Sequence, residues 1–207
     1  DDYDLIYKTK TEDRLSELAN SNKSFKKILT SDVLLINGKK YHNWPVIKKE
    51  IKLKIHDLYH EQDNCLIHGD LCFSNIFCDF KNKNFKLVDP RGKWGTDMCG
   101  DLKYDVAKLR HSVVGGFDTI TNGLCSASLS QNNQIIMKIF KPKNHQEVCK
   151  YLDELIQNQW NLNEIKLIEG LLFISMLPLH KDHFERQLAL YSIGIQRLNE
   201  VLDETTG

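Results

Sequence analysis

The residues best equipped for chemistry fall in one stretch, Cys65-Leu66-Ile67-His68-Gly69-Asp70-Leu71-Cys72-Phe73-Ser74-Asn75-Ile76-Phe77-Cys78-Asp79, followed closely by Phe85-Lys86-Leu87-Val88-Asp89-Pro90-Arg91-Gly92. If residues 76–80 and 84–88 are the arms of a hairpin turning at Lys81-Asn82-Lys83, antiparallel partners have position numbers that sum to 164. Asn75 and Asp89 meet that sum. An amide and a carboxylate are then expected side by side at the open end of the hairpin, with Cβ atoms about 4.5–5.5 Å apart. Such a pair suits one hard divalent cation, because Mg²⁺ takes one or two protein ligands and completes its octahedron with water and phosphate oxygens. Asp70 returns across a tight loop to the same mouth. Zinc on His68, Asp70, Cys72 and Cys78 is the weaker reading, since strand alternation turns Cys78 away from the face of Asn75. Taken singly, His68 reads as a core histidine, Asn75 as a turn residue and Asp89 before Pro90 as a strand terminator.

The elements that must position these groups are short. Leu15, Leu18, Phe25, Ile28 and Leu29 predict one broken helix, and Ile47, Ile51, Ile55 and Leu58 predict another. Between them Asn37-Gly38 signals a small exposed hairpin over residues 34–41. Residues 64–89 read as strands and loops. Asp101 caps a helix with an apolar stripe of Leu102, Val106, Leu109 and Val113, ended by Gly115-Gly116. A second hairpin is expected over residues 126–140, around Asn132-Asn133. The rest is helical: a stripe of Val148, Tyr151, Leu152, Leu155 and Ile156, a nearly all-apolar segment over residues 165–177, and a last helix carrying Phe184, Leu188, Tyr191, Ile195, Leu198 and Leu202. That last seam is expected to pack on the protein's own core. The fold class is α+β, mostly α, and no repeat or linker divides residues 1–207 into more than one domain.

Lys+Arg 28 against Asp+Glu 28 leaves no cationic surplus, which argues against a nucleic-acid partner. The longest apolar stretch, residues 167–179, contains Glu169 and is shorter than the roughly 20 residues a membrane span needs. Six cysteines without a CxxC pair read as reduced thiols in a cytoplasmic protein.

The order His-x-Asp-x-x-x-x-Asn, with an Asp at the end of the next strand, is a kinase arrangement. His68-Gly69-Asp70-Leu71 with Asn75, then Leu87-Val88-Asp89, then Gly100-Asp101-Leu102-Lys103-Tyr104-Asp105-Val106-Ala107 resemble the aminoglycoside phosphotransferase and choline kinase family, a small-molecule branch of the protein-kinase-like fold. The motifs cover roughly residues 60–115. The resemblance implies the helical carboxy-terminal lobe of that fold, with short β-hairpins carrying the catalytic loop. It implies Asp70 as the catalytic base, Asn75 and Asp89 as ligands of Mg²⁺ or Mn²⁺, ATP as co-substrate, and a small-molecule hydroxyl (sugar, amino alcohol or aminoglycoside-like) as acceptor. By the same analogy His68 holds the catalytic loop against the segment around Asp89, and Asp105 accepts hydrogen bonds from the loop backbone.

Arg91 stands in Asp-Pro-Arg-Gly, where many kinases have Asp-Phe-Gly. Two readings are equally open: its fork holds an anionic group on the acceptor or the transferring phosphate, or it forms an ion pair with Asp97 or Asp101. Trp94, Tyr104, Phe117, Trp160 and His180 are candidates for the acceptor's walls. Within the family, Asp-Pro-Arg-Gly and Lys108-Leu109-Arg110-His111-Ser112 look most like the uncharacterised bacterial phosphotransferases encoded with surface-polysaccharide genes.

The 67 residues before His68 show no GxGxxG and read as helical, not as a nucleotide-binding sheet. The chain, which lacks an initial Met, is therefore expected to be the carboxy-terminal part of a longer protein whose upstream lobe covers the nucleotide, and to bind ATP weakly or not at all alone. The alternative is a catalytically silent kinase-like module that binds a partner or metabolite.

Overall fold

The structure, a computed structural model, describes residues 2–130 and 134–203. The turn expected at Asn132-Asn133 lies outside the described residues. A π-helical turn, Asp4–Thr9, runs into α1 (Lys10–Ser21), and α2 (Lys23–Leu29) follows. The break between them is Asn22, whose Oδ1 accepts the N–H groups of Ser24 and Phe25 at 3.0 and 3.1 Å and so starts the second helix. Next come β1 (Val33–Ile36), β2 (Lys39–His42) and α3 (Trp44–His56), the helix opening with Pro45 in its first turn. Asn37 and Gly38 both have positive φ, 49° and 82°, as a two-residue hairpin turn of the twist-matched kind requires.

The site region holds β3 (Asn64–Leu66), β4 (Ile76–Asp79), β5 (Asn84–Leu87) and β6 (Cys99–Asp101), then α4 (Leu102–Val113) and α5 (Phe117–Thr121). The chain continues through β7 (Cys125–Leu129), β8 (Gln134–Ile139), α6 (His145–Gln157), α7 (Leu162–Ser175) and α8 (Phe184–Asp203). The hairpin β1–β2 is not the small exposed unit expected from its turn. Leu34 and Ile36 are buried, and β1 lies inside a four-stranded sheet of order β2-β1-β8-β7. Strands β1 and β8 pair in parallel, and the Asn37 side chain extends that ladder by donating to Met137 O at 2.9 Å and accepting Met137 N–H at 2.8 Å.

One hydrophobic cluster links α1, α2, α3, the sheet, α7 and α8. Helices α7 and α8 approach closely at Gly170 and Gly194; a Cβ on Gly194 would fall 2.8 Å from Ile174 Cγ1 and 3.1 Å from Gly170 O. Leu188, Tyr191, Ile195 and Leu198 of α8 are fully buried, so that seam packs on the protein's own core. Among the described residues, no helix is long and apolar enough to cross a membrane.

Two expected stripes face differently. On α6, Val148, Tyr151 and Leu155 are exposed, and the helix is tied down by Asp153, which receives Arg110 of α4 at 2.8 and 3.0 Å. On α4, Leu102, Val106, Leu109 and Val113 are only half-buried, whereas Lys103, Tyr104, Asp105, Lys108, Arg110, His111 and Ser112 are buried. A buried charge is tolerated only with a partner. Lys103 Nζ donates to Leu58 O and to Glu164 at 2.8 Å, and Arg110 also meets the fully buried Glu169.

Candidate active site

Strand β3 pairs antiparallel with β6, Asn64 opposite Asp101 and Leu66 opposite Cys99, which brings the start of α4 beside the loop after β3. Asp105, in the first turn of α4, takes the backbone N–H groups of His68 and Gly69 on its two oxygens, at 2.6 and 2.8 Å. Burial pushes the Asp105 carboxyl above its usual range, although these two bonds pull the other way. His68 Nε2 bonds Val88 O at 2.9 Å while Nδ1 accepts the Asp70 N–H at 3.3 Å, which assigns the ring hydrogen to Nε2. The Arg91 N–H closes the clasp on His68 O at 2.8 Å. Gly69 has φ 75°, and a Cβ there would sit 2.9 Å from Arg91 Cβ, so only glycine fits between the two segments.

The register of β4 and β5 differs by one from the expectation. Ile76 faces Leu87 and Asp79 faces Asn84, so partners sum to 163. Val88, not Asp89, stands opposite Asn75 and donates its N–H to Asn75 O at 3.1 Å. The cause is the turn: Asp79 Oδ1 accepts the N–H groups of Lys81 and Asn82, both at 3.1 Å, which stabilises a four-residue connection over residues 80–83. Asp89 therefore lies one position beyond the pair, in the left-handed region at φ 57°.

Asn75 is buried, and its side-chain NH₂ donates to Asp70 O at 2.9 Å and Asp70 Oδ2 at 3.3 Å. Its Oδ1 is the atom left for a cation. Asp89 is exposed and makes no side-chain hydrogen bond or ion pair among the described residues. No three His, Cys, Asp or Glu side chains converge as a metal cluster among those residues. The slip removes the side-by-side pairing expected of Asn75 and Asp89, so a cation held by these residues would draw most of its shell from water and phosphate. The same residues do not fit zinc: Cys72 is buried with its Sγ 3.2 Å from Ser74 Oγ, and Cys78 is exposed.

Asp70 Oδ1 lies 2.8 Å from Lys108 Nζ. Burial alone would push the Asp70 carboxyl up, but Lys108, with Arg91 and the Asn75 amide, outweighs it and holds the group below the usual carboxylate range. Beside it opens a cavity of about 380 Å³, walled by Asp70, Arg91, Tyr104 and Lys108, by Lys10 and Arg14 of α1, and by apolar residues of α7 and the turn after it. Arg91 Nη1 donates to Tyr104 OH at 3.0 Å, and its guanidinium lies 5.6 Å from the ring centroid. The ion-pair reading of Arg91 does not hold. Asp97 accepts the Met98 N–H at 2.6 Å, and Asp101 caps α4 through the Lys103 N–H at 3.0 Å while accepting Tyr7 OH at 2.9 Å.

Of the five candidate wall residues, Tyr104 borders the cavity. Trp94 is buried against Tyr3 and Tyr7, Trp160 donates to Asp63 at 3.2 Å, and Phe117 stacks on His111. Lys10 and Arg14 were not foreseen. Their spacing of four places both on one helix face, and the pair stands among Glu12, Asp13 and Glu17, which is the signal that was available. Comparison of the chain with protein-family models, with curated proteins and with solved structures finds no match.

Proposed function

We propose that the protein is a small-molecule kinase, moving the γ-phosphoryl group of ATP to a hydroxyl in the manner of the aminoglycoside phosphotransferase and choline kinase family. One observation carries this reading: a single loop, braced by Asp105 and His68, presents an ionised Asp70 to a cavity and holds the Asn75 amide against it. The acceptor hydroxyl hydrogen-bonds to Asp70, whose carboxylate keeps lone pairs beyond those turned to Lys108 and Asn75. The hydroxyl proton passes to Asp70 as the new O–P bond forms and the bond to the β-phosphate oxygen breaks, ADP leaving. Asn75 and Asp89 would hold Mg²⁺ or Mn²⁺, which neutralises charge on the transferring phosphate. His68 and Asp105 are positioning residues, and positioning supplies much of the rate in such reactions.

Residues 2–58 are helices and a hairpin within the shared core, so a nucleotide-covering lobe would come from outside this chain. Exposed Phe77, Phe80 and Phe85 on the hairpin of β4 and β5 leave apolar surface near Asp89 in sequence that fits such a cover. Six free cysteines and the use of ATP fit the cytoplasm. The test is phosphate transfer from ATP by the protein, together with the melting temperature in Mg²⁺ and nucleotide. Asp70→Asn should abolish turnover, and Asn75→Ala and Asp89→Ala should remove the metal-dependent shift. Turnover at the wild-type rate in Asp70→Asn sinks the reading. Because both Asp70 oxygens already meet Lys108 and Asn75, a silent binding module is the second reading, and it predicts no such shift.

A further inference from the structure

Four cations wall the cavity beside Asp70, and one carboxylate, Asp70 itself, stands among them. Lys108 is already paired with it. The other three have no acidic partner among the described residues: Arg14 donates to the Ser175 carbonyl, Arg91 to the neutral Tyr104 phenol, and Lys10 forms no ion pair. Burial, with Arg91, Arg14 and Lys108 close by, pushes the Lys10 ammonium down to about 7, against a smaller opposing pull from Asp70. Leu172, Met176 and Leu179 close the remaining wall with apolar surface, which strengthens electrostatic interactions inside. A confined surplus of positive charge is unfavourable until an anion enters it.

We propose, resting on the kinase reading above, that the acceptor carries its own phosphate monoester, and that Lys10, Arg14 and Arg91 seat that group while the hydroxyl meets Asp70. A dianion offsets most of the charge of these three cations, and two of them are guanidinium forks suited to phosphate oxygens. The volume, about 380 Å³, is in the range of small-ligand pockets. Neither Asn75 nor Asp89 borders the cavity, so its charge is not placed for the metal-bound triphosphate. Cationic acceptors, whether a quaternary ammonium or an aminoglycoside, would meet like charge here and be rejected.

The test is calorimetric binding to this chain without metal or nucleotide, so that its result is independent of whether phosphate transfer occurs. The probes are glycerol 3-phosphate, glycerol and choline. Glycerol 3-phosphate should bind at least tenfold more tightly than either uncharged glycerol or choline, and more weakly as salt is added. Lys10→Met and Arg14→Gln should each reduce that binding about tenfold, with circular dichroism and melting temperature establishing that both variants are folded. Lys10→Met removes a charge without adding a buried polar group, so it stands if Arg14→Gln fails to fold. Equal binding of choline or glycerol, or unchanged binding in folded Lys10→Met, overturns the proposal. So does competitive displacement of glycerol 3-phosphate by Mg²⁺-tripolyphosphate whose own binding also falls in Lys10→Met, since the cavity would then serve the nucleotide. Turnover of an unphosphorylated acceptor would overturn this inference and leave the kinase reading intact.

Discussion

Lys108 Nζ lies 2.8 Å from Asp70 Oδ1, yet the two side chains differ in exposure, 3% for the lysine and 36% for the aspartate. The ammonium is the buried partner, and the carboxylate at the cavity edge is what makes its burial tolerable. The candidate base therefore also has a structural role, and no substitution there is purely catalytic.

Asp70→Asn should lower stability by about 1–2 kcal/mol, less than a fully buried pair would lose because water reaches the aspartate. Adding Lys108→Met should recover most of that loss while turnover stays absent. Denaturant midpoints of the two single variants and the double variant measure the coupling. Additive effects would mean that the pair contributes nothing.

Burial raises the Asp101 carboxyl to about 6, with Lys103 and the Tyr7 hydroxyl acting in the opposite sense. Between about 4 and 6 the folded state then binds more protons than the unfolded chain, so stability falls as pH rises through that window, by on the order of 3 kcal/mol. Asp101→Asn keeps an acceptor for the Lys103 N–H and does not titrate. Its stability relative to wild type should rise from pH 4 to pH 7; a difference that is flat with pH contradicts the raised carboxyl.

Glu169 is the charge inside the long apolar segment of residues 167–179, and it is fully buried against Arg110, with Arg197 Nε at 3.3 Å. Arg110→Met strips its main partner and leaves Asp153 unpaired as well. A loss of about 3–5 kcal/mol is expected. Joint replacement of Arg110 and Glu169 by apolar residues should cost less than Arg110→Met alone, read by thermal and denaturant unfolding.

Gly194→Ala forces a methyl group against Ile174, Phe173 and the Gly170 carbonyl, two of these contacts involving atoms that cannot swing aside. It should destabilise by about 1–3 kcal/mol. Gly170→Ala meets mainly the mobile end of Leu198 and should cost less. Midpoints equal to wild type in both variants would mean that the helices are free to separate.

The helices, the hairpin at Asn37-Gly38 and the cap at Asp101 follow from local signals that act within a few residues. The loop motif was legible for the same reason, as His68, Asp70 and Asn75 are tied by bonds spanning at most five residues. Four features were not. The one-residue slip of β4 against β5 depends on the Asp79 side chain selecting the longer turn. The parallel pairing of β1 with β8 joins residues about a hundred positions apart, for which the Asn-Gly turn carries no information. The buried face of α4 contradicts its hydropathy, because its charges find partners on other elements that periodicity does not include. The basic wall of the cavity was missed likewise, since Lys10 and Arg14 reach it from α1, more than fifty residues from Asp70.

Helix α4 ties the loop after β3 to its helical neighbours through polar atoms. Lys103 holds the carbonyl after α3, Asp105 the loop amides, Lys108 the aspartate, Ser112 the Phe73 N–H, and Arg110 both α6 and α7. Such a helix behaves as a common shaft: it cannot fray without releasing the loop after β3 and two packing neighbours together. Loss of the loop's order and loss of the whole fold are thus one event, leaving this protein little scope for a partly melted yet working state.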